Sequence, residues 1–410
     1  MPELSFLMEW LSFGVRWLHV ITAIAWIGSS FYFIALDLGL RPSTDRRQGV
    51  TGEEWQVHGG GFYFVQKYAI APARMPHDLT WFKWESYSTW LSGAALMAVV
   101  YWAGSELYLI DAAKVEFAPW QAIAVSAVSL TIGWIVYDRL CKSGLAARPT
   151  LLMVLLFGLL VVMGWGYNQI FTGRAMMIHL GAFTATIMTA NVFFIIMPNQ
   201  RIVVADLQAG RAPEAKYGKI AKLRSTHNNY LTLPVVFLML SNHYPLAFAS
   251  TYNWLIAALV FLMGVTIRHF FNTHHAGKGN LWWTWAVTAA LFVAIVALSS
   301  IGPDHGDLEE AEARAFTASE ARFAEAQGFE DTTDIVLGRC SMCHAREPGW
   351  PGIHTAPKGI LLETPQEVAA NARLIWLQAG RTTAMPPANI TWMEPEERAQ
   401  IDAWFRAASS

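Results

Sequence analysis

Two cysteines and a histidine stand close together near the C-terminus, in the string Cys340-Ser-Met-Cys343-His344. This C-x-x-C-H spacing is typical of covalent haem attachment, because two thiols add across the porphyrin vinyl groups while the adjacent imidazole reaches the iron. The same residue types bind zinc, but a zinc site needs further cysteine or histidine ligands, and only His354 is available in this region. The motif therefore predicts one covalent haem c, with His344 as an iron ligand.

A methionine further along the chain is the predicted second iron ligand. Met385 precedes two prolines, Pro386 and Pro387, which stiffen its loop. Ligation by methionine and histidine raises the haem potential, which suits an electron acceptor. Taken alone, Met385 would equally fit a packing role, so the prediction depends on its pairing with the C-x-x-C-H motif. The third cysteine, Cys141, stands alone, and we expect it to be a small buried hydrophobic residue.

The sequence around the motif predicts a small soluble unit at the C-terminal end. Residues 302–328 are rich in alanine and glutamate, which indicates a solvated, partly helical linker. For residues 329–410 we expect a small all-α class I cytochrome c domain. Its last helix should begin near Glu394, because Pro395 suits the first turn and the acids that follow complement the helix dipole.

The first 301 residues have the pattern of an integral membrane domain. Over the whole chain 54% of residues are hydrophobic and 15% are charged, whereas soluble proteins carry about 25% charged residues. A helix needs about 20 apolar residues to cross a bilayer. The sequence therefore predicts an all-α fold, a polytopic helix bundle of about eight spans. The candidate spans are 11–36, 86–103, 117–137, 150–171, 175–197, 231–250, 252–268 and 281–301.

Lysine and arginine alternate between the connections that join these spans. Seventeen of them fall in or beside loops 37–85, 138–149 and 198–230 and the seventh connection, against two in the others. Cytoplasmic loops carry the excess of these residues. We therefore expect both termini, and the haem, on the periplasmic side of a bacterial inner membrane. The net charge of −2 gives no indication of a nucleic-acid partner.

Ionisable residues inside predicted spans are functional candidates by default. Polar residues in and near the spans form an outer group and a second, inner group on the cytoplasmic side. The outer group consists of Arg16, His19, Arg174, His179, Asn242 and His243. Its histidines would serve as general bases, anion binders or ligands of a second haem, although each could instead hydrogen-bond a neighbouring helix. The inner group consists of Lys83, Glu85, His227 and Asn228, beside the string His58-Gly-Gly-Gly-Phe-Tyr63. The triple glycine matches no phosphate-loop spacing.

Several strings in the first 301 residues resemble the bacterial membrane-bound urate oxidases, also called urate hydroxylases. The resemblance covers nearly the whole chain, since this family has an eight-span domain followed by a cytochrome c domain. The strings are Arg16-Trp-Leu-His19, Ala25-Trp-Ile-Gly28, His58-Gly-Gly-Gly-Phe-Tyr63, Trp81-Phe-Lys-Trp-Glu85, Thr189-Ala-Asn-Val-Phe-Phe194, Pro198-Asn-Gln200, His227-Asn-Asn-Tyr230 and Ser241-Asn-His-Tyr-Pro245.

This resemblance implies that urate and water give 5-hydroxyisourate, two electrons and protons, without hydrogen peroxide. The electrons would pass to the chain's own haem c and then to a soluble cytochrome c or a terminal oxidase. Because one haem accepts one electron at a time, a urate radical or a second carrier must hold the other. A haem b between His19 and His179 would be such a carrier.

A planar urate anion bound in membrane-embedded protein needs a cation, an amide and a base. The outer group offers His19, His179 and His243 as bases, Arg16 and Arg174 as cations, and Asn242 as the amide. The inner residues Lys83, Glu85, His227 and Asn228 would bind urate that arrives from the cytoplasm. Two other functions agree with the same residues: a membrane dehydrogenase for another small reductant or a quinol, and a haem-linked transporter.

Overall fold

The computed structural model describes residues 4–42, 49–68, 76, 78–111, 114–301 and 307–409. It is mostly helical, as predicted, and its contacts divide the chain into two units. The N-terminal unit comprises residues 1–240 and 254–298, and the C-terminal unit comprises 241–253 and 299–410. Three arginines counted above in the predicted loop 37–85, namely Arg46, Arg47 and Arg74, lie outside the described residues.

Long apolar helices dominate the N-terminal unit. They are α1 (Leu4–Gly39), α2 (Trp84–Leu96), the short α3 (Ser105–Tyr108), α4 (Pro119–Lys142), α5 (Pro149–Ile170), α6 (Gly173–Ala190), α7 (Met197–Gln208), α8 (Ala215–Ser241), α10 (Asn253–His275) and α11 (Trp283–Ser299). A π-helical segment, Met97–Trp102, follows α2, and a second, Asn191–Ile196, joins α6 to α7. A short 3-10 turn, Gly144–Ala147, separates α4 from α5.

Among the described residues, five helices are long and apolar enough to cross a membrane. They are Phe6–Gly39, Pro119–Lys142, Pro149–Ile170, Gly173–Gln208 and Asn253–His275, and α11 is a shorter apolar helix. The structure therefore supports several spans, while the number eight stays a prediction. The helix Gly173–Gln208 has 36 residues, which at 1.5 Å per residue makes it about 54 Å long. It is therefore longer than the thickness of a hydrocarbon core, about 30 Å.

The region predicted as loop 198–230 is largely helical, and this part of the prediction is wrong. Helix α7 continues to Gln208, and α8 begins at Ala215 and ends at Ser241 with Pro234 inside it. The predicted span 231–250 is thus the second half of a longer helix, followed by the short α9 (Pro245–Phe248). The prediction missed the first half of α8 because its many lysines and polar residues hide a helix that packs through a few buried positions.

The expectation of a purely helical chain is corrected by one β-hairpin. Strands β1 (Val50–His58) and β2 (Gly61–Tyr68) pair antiparallel, with His58 opposite Gly61. The turn between them is Gly59-Gly60, with φ values of 58° and 80°. Two-residue hairpin turns with positive φ at both positions match the twist of the strands and favour glycine. The glycines of the triple-glycine string therefore make a tight turn.

Close helix contacts set the positions of polar residues in the N-terminal unit. Helix α1 packs along α2, and α6 packs against both α4 and α5. Helix α10 approaches α8 where a Cβ on Gly264 would lie 2.6 Å from Cδ of Pro234. Any larger residue at Gly264 would push the two helices apart. This contact fixes the level at which the polar residues of α8 and α10 face each other.

The C-terminal unit is a set of short helices around one aromatic core. The helices are α9, α12 (Leu308–Ala313), α13 (Ala318–Ala324), α14 (Phe329–Arg339), α15 (Pro365–Ala370), α16 (Ala372–Ile375) and α17 (Pro395–Ser409), with a π segment at Trp376–Gly380 and 3-10 turns at Pro357–Gly359 and Pro387–Asn389. Trp376 stacks on Phe405 with ring centroids 4.5 Å apart. The indole of Trp404 donates to the carbonyl of Phe323 at 2.9 Å, and that of Trp376 donates to Asp402 at 2.8 Å. Both tryptophans are therefore buried with their polar groups satisfied.

The predicted start of the last helix agrees with the structure, whereas the predicted linker does not. Helix α17 begins at Pro395, where the sequence predicts the last helix. The stretch 302–328, expected to be a solvated linker, contributes α12 and α13, and Phe323 of α13 is buried in the core. Thr317 caps α13. Its hydroxyl accepts a hydrogen bond from the amide of Glu320, and the Glu320 carboxylate accepts one from the amide of Thr317. Residues 307–328 are therefore part of the folded unit.

Candidate functional site

The C-x-x-C-H motif forms a single turn at the end of α14. The amides of Cys343 and His344 both donate to the carbonyl of Cys340, at 3.1 and 3.0 Å. Neither motif cysteine is in a disulfide. Burial is the main cause that raises the pKa of the Cys340 thiol, to about 12, and the neighbouring Cys343 adds to this effect. Both sulfur atoms are thus reduced and project from one compact turn, as covalent attachment of a haem requires.

His344 is held in the tautomer that an iron ligand needs. Its Nδ1 donates to the carbonyl of Ile360 at 2.9 Å, so the proton is on Nδ1 and the lone pair is on Nε2. A histidine ligand is usually oriented by such a hydrogen bond from its other ring nitrogen. Burial lowers the pKa of His344, against the effect of the Ile360 carbonyl, so the imidazole is neutral at pH 7. His344 therefore fits the role of an iron ligand.

Met385, the predicted second ligand, is half-buried in a loop with a well-defined backbone. Its amide donates to the carbonyl of Gln378 at 2.9 Å, and its own carbonyl accepts from Arg398 at 2.8 Å. Arg398 also donates to the carbonyl of Ala379 at 2.8 Å. The thioether makes none of these bonds and remains available to iron. Among the described residues, no group of three or more His, Cys, Asp or Glu side chains could hold a metal ion, whereas a haem iron takes only its axial ligands from the protein.

The turn that carries the cysteines is linked to the start of α17 by Arg339 and Glu397. The guanidinium donates to Glu397 at 3.0 Å and to the carbonyl of Thr391 at 2.9 Å. The same carboxylate accepts from the amide of Glu394 at 2.7 Å. Burial opposes ionisation of Glu397, but these hydrogen bonds and the Arg339 charge together lower its pKa below 4.5.

The Arg339–Glu397 pair predicts an acid-dependent contribution to stability. Because the folded-state pKa of Glu397 is depressed, the contribution is present above pH 4.5 and is lost as the pH falls through the folded value. We expect Glu397→Gln to lower the thermal unfolding midpoint of the full-length protein at pH 7, and the difference from wild type to shrink below pH 4. Circular dichroism at both pH values measures this. An equal difference at both would contradict the prediction.

The outer residues of the N-terminal unit converge in part. Tyr101 lies within electrostatic range of both Arg16 and Arg174, and its ring is 5.9 Å from that of His179. His179 is fully buried. Its Nδ1 donates to the carbonyl of Ala175 at 2.8 Å, and its Nε2 accepts from Ser126 at 2.7 Å. Both ring nitrogens of His179 are therefore engaged, so this side chain connects α4 and α6 as it stands.

His19 differs from His179 in keeping one nitrogen free. Its Nδ1 donates to the carbonyl of Thr89 at 3.0 Å and lies 3.1 Å from the hydroxyl of Ser92. Its Nε2 makes no hydrogen bond within the part of the chain that the structure describes. Asn242 and His243, predicted to join it, belong by their contacts to the C-terminal unit. Of the outer histidines in the N-terminal unit, His19 alone retains a free ring nitrogen.

An extensive buried network, here called the inner network, connects α4, the second π segment and α8. Its members are Tyr137, Asp138, Asn191, Arg224, His227 and Asn228. Arg224 is 2% exposed, donates to Asp138 at 2.7 Å and to Asn191 at 3.2 Å. Burial of a guanidinium is tolerated when a carboxylate neutralises it and its donors are satisfied. Arg224 meets both conditions.

The predicted inner residues His227 and Asn228 belong to this network. Tyr137 lies 2.8 Å from Nδ1 of His227, and Asn191 donates to both Tyr137 and Asn228 at 2.9 Å. Asn228 in turn donates to the carbonyl of Met188 at 2.9 Å. The Nε2 of His227 is buried and has no hydrogen-bond partner among the described residues. The network is therefore satisfied except at one imidazole nitrogen.

The other two predicted inner residues lie at the start of α2. Lys83 precedes the helix, with its ammonium 6.0 Å from the ring of Trp84. Glu85 carries one carboxylate oxygen that is buried and has no hydrogen-bond partner in the described chain. The next residue, Ser86, donates to Thr189 at 3.2 Å, which places the start of α2 beside the end of α6. The structure shows no hydrogen bond between Glu85 and the described members of the inner network.

A second buried cation, absent from the predicted site, lies on α10. Arg268 is 6% exposed and stacks over the ring of Phe31 at 4.4 Å. Its Nε donates to Asn229 at 3.4 Å and its Nη2 to Asn272 at 3.3 Å, while Asn272 donates to Asn229 at 2.9 Å. These four residues are called the Arg268 cluster below.

The spacing of polar residues along α8 and α10 could have indicated the two buried arginines that the sequence prediction missed, Arg224 and Arg268. Arg224 precedes His227 by three positions and Asn228 by four, and Arg268 precedes Asn272 by four, so each set shares one helix face. Asn191 and Tyr137 have no such local signal, because they join the network only through tertiary packing. The lysine and arginine counts treat Arg224 and Arg268 only as charges in the connections between spans.

The N-terminal unit thus combines apolar helices long enough to span a membrane with buried networks of arginine, histidine and amide side chains. Residues 5–299 match the model of the Urate oxidase N-terminal family. The chain belongs to this family, which indicates a urate-related oxidative function for its N-terminal unit. Searches of curated proteins and of solved structures each gave no match.

Proposed function

We propose that the protein is a membrane urate oxidase that passes electrons from urate to a haem c in its own C-terminal unit. The family match over residues 5–299 supports urate as the substrate. The observation that carries the electron transfer is the C-x-x-C-H turn, in which His344 has a fixed tautomer and a free Nε2. A soluble cytochrome c or a terminal oxidase would then be the next acceptor.

The proposed reaction balances without oxygen. Urate and one water give 5-hydroxyisourate, two protons and two electrons, and the oxygen atom added to the ring comes from water. The haem supplies a one-electron acceptor whose potential is raised by histidine and methionine ligation. His344 and Met385 would hold its iron, and Cys340 and Cys343 would bind its vinyl carbons. No hydrogen peroxide is formed, because molecular oxygen takes no part in the step.

The chain's own residues have to bind a planar anion and accept its proton. Two regions of the N-terminal unit offer a cation with suitable neighbours. In the outer group these are Arg16 and the free Nε2 of His19. In the inner region they are Arg268 and the amides around it. A haem b in the N-terminal unit stays a proposal for storing the second electron, and an extracted-haem assay showing only covalent haem would exclude it.

Location follows the predicted charge distribution. With both termini outside the cytoplasm, the C-terminal unit would lie in the periplasm of a bacterial cell, where c-type haems are attached. The helices long and apolar enough to span a membrane support the inner membrane as the site of the N-terminal unit.

The function predicts anaerobic reduction of the haem by its substrate. Membranes containing the full-length protein in oxidised form are mixed with urate without oxygen, and the absorbance of the c-type haem is recorded. We expect the reduced band to appear on addition of urate, and 5-hydroxyisourate to form in proportion when excess cytochrome c is supplied. The urate-dependent signal separates this function from a dehydrogenase for another reductant.

Two controls make this measurement decisive. A quinol added in place of urate should leave the haem oxidised at an equal concentration, because the proposed site binds a planar anion. Peroxide should stay at background when the reaction is run in air. Reduction by quinol alone would assign a different dehydrogenase, and a haem that stays oxidised with urate would overturn the proposal.

A further inference from the structure

The Arg268 cluster contains a buried charge that the described chain does not neutralise. Arg224, the other buried arginine, has a carboxylate at 2.7 Å. Arg268 has amide oxygens from Asn229 and Asn272 and the face of Phe31 as its neighbours, and no ion pair with a carboxylate in the described residues. Burying an unpaired cation is costly. The cluster is therefore short of one anion.

The side-chain amide of Asn229 is oriented so that its donor group lacks an acceptor. Its Oδ1 accepts from both Arg268 and Asn272, at 3.4 and 2.9 Å. Because both neighbours are donors, this end of the amide must be the oxygen. The Nδ2 group then points elsewhere, and it is buried with no hydrogen-bond partner among the described residues. Asn229 is 1% exposed, and an orphaned donor at this depth requires an acceptor.

A pocket lies further along the two helices, α1 and α10, that carry Phe31 and Arg268. Its volume is about 370 Å³, within the range of small-molecule sites. Ala35 and Gly39 of α1, Gln56 of the hairpin and His275 of α10 are among the residues that line it, together with one cation, Arg41, and one carboxylate, Glu54. His275 has a buried Nδ1 with no hydrogen-bond partner in the described chain.

Helix geometry connects the pocket to the Arg268 cluster. On α10, Arg268, Asn272 and His275 are spaced by four and three residues, so they lie along one face. On α1, Phe31 and the pocket residue Ala35 are one turn apart. Arg268 also lies within electrostatic range of His275. The pocket and the cluster thus follow one another along the same two helices.

We propose that this pocket and the Arg268 cluster bind the urate anion, and that urate reaches them from the cytoplasmic side. The inference rests on the proposed function and assigns its substrate site. Arg268 would donate to a urate oxygen or ring nitrogen in place of a missing carboxylate, and Nδ2 of Asn229 to another acceptor. A planar purine anion supplies several acceptors in one plane, which suits the planar guanidinium of Arg268, held over the ring of Phe31 at 4.4 Å.

The direction of access follows from the ends of the helices that form the pocket. Gly39 at the end of α1 and His275 at the end of α10 line it. The connections after both ends carry the lysines and arginines that predict a cytoplasmic location. Phe31 lies twelve residues from His19 along α1, or about 18 Å. Urate bound at the Arg268 cluster would therefore not contact His19.

Urate binding to the reduced protein tests this site apart from electron transfer. The purified full-length protein is reduced chemically without oxygen, so that no turnover occurs, and urate binding is measured by equilibrium dialysis. Asn229→Asp places a carboxylate beside Arg268 at nearly constant shape. We expect it to weaken urate binding by roughly 30-fold or more, as for one partner of a buried charge-assisted pair. Arg268→Lys keeps the charge but loses the planar fork, and should weaken binding roughly 10-fold.

Matched probes and variants identify the cause of any loss. Asn199→Asp makes the same change at an amide that donates only to the carbonyl of Ile195, and should bind urate as wild type does. Hypoxanthine, a neutral purine, should bind more weakly than urate, and phosphate at equal concentration should not displace urate. If a charge variant does not fold, Phe31→Leu provides an alternative test, because it changes no polar group. It should weaken urate binding several-fold.

Each result has a distinct meaning for the two proposals. Unchanged urate affinity in Asn229→Asp and Arg268→Lys would overturn the assigned site, and loss of binding in Arg16→Gln alone would place the anion in the outer group instead. Displacement by phosphate would assign a general anion or lipid-headgroup site and also overturn it. If wild-type haem is not reduced by urate, the proposed function fails, whatever the dialysis shows.

Discussion

Replacing both Cys340 and Cys343 by serine is expected to give a protein without covalent haem that transfers no electrons from urate to cytochrome c. The two sulfur atoms form the only attachment that the C-x-x-C-H turn offers, and serine cannot add across a porphyrin vinyl group to make a thioether. The turn itself should persist, because it is held by backbone bonds to the carbonyl of Cys340. Haem staining of the denatured protein on a gel, together with urate-dependent reduction of cytochrome c, measures both losses.

The third cysteine provides the matched control for this experiment. Cys141 is buried in α4, with its sulfur 3.9 Å from Nδ1 of His227. Cys141→Ser makes the same chemical change outside the motif and should retain the full amount of covalent haem. Met385→Leu should also retain it, while lowering the reduction potential, because only the second iron ligand changes. Covalent haem in the double serine variant would contradict the assignment of the motif.

The proposed haem chemistry of the C-terminal unit rests on a local signal in the sequence. The two thiols and the imidazole of residues 340–344 must be neighbours in the chain to reach one porphyrin, so their spacing alone predicts the ligand. The bond that fixes the tautomer of His344 comes from Ile360, sixteen positions away. No local pattern indicates that partner. The sequence thus identifies the groups proposed to hold a haem, while the tertiary structure selects the nitrogen of His344 that would face its iron.

The N-terminal unit shows the opposite case. Apolar runs predicted most of its helices, since about 20 such residues are needed to cross a bilayer. They could not predict the polar first half of α8, whose residues Arg224 and Asn229 are buried by contacts with α4, α10 and the second π segment. His227 and Asn229 are two positions apart, so they face opposite sides of α8. Adjacent polar residues of one string therefore belong to two separate clusters. The sequence pattern alone does not show which residue belongs to which cluster.

The π segment at Asn191–Ile196 explains one further failure of prediction. A π-helical turn carries an extra residue and shifts the faces of the helix on either side of it, and such turns are frequent at functional sites. Asn191 opens this segment, and its side chain joins Tyr137, Arg224 and Asn228. A regular 3.6-residue period continued from α6 would misplace every position beyond Asn191. The inner network thus depends on an irregularity that apolar periodicity does not reveal.

Asp138→Asn is expected to produce the largest loss of stability among single changes in the N-terminal unit. Arg224 is 2% exposed, and Asp138 is the carboxylate that neutralises it, at 2.7 Å. Removing one partner of a buried ion pair costs about 3–5 kcal/mol, because the other charge stays buried without compensation. The thermal unfolding midpoint of the full-length protein in detergent should fall accordingly.

A double-mutant cycle separates the buried pair from a general effect of mutation. Combining Asp138→Asn with Arg224→Met removes both charges. The double variant should therefore be less destabilised than the single variant Asp138→Asn. Lys142 also contacts Asp138, at 2.6 Å, but its side chain is 58% exposed. Lys142→Met should therefore cost less than about 1 kcal/mol. If Asp138→Asn unfolded with the wild-type midpoint, the charge on Arg224 would have to be balanced elsewhere, and Arg224 would become a second place for an anionic ligand.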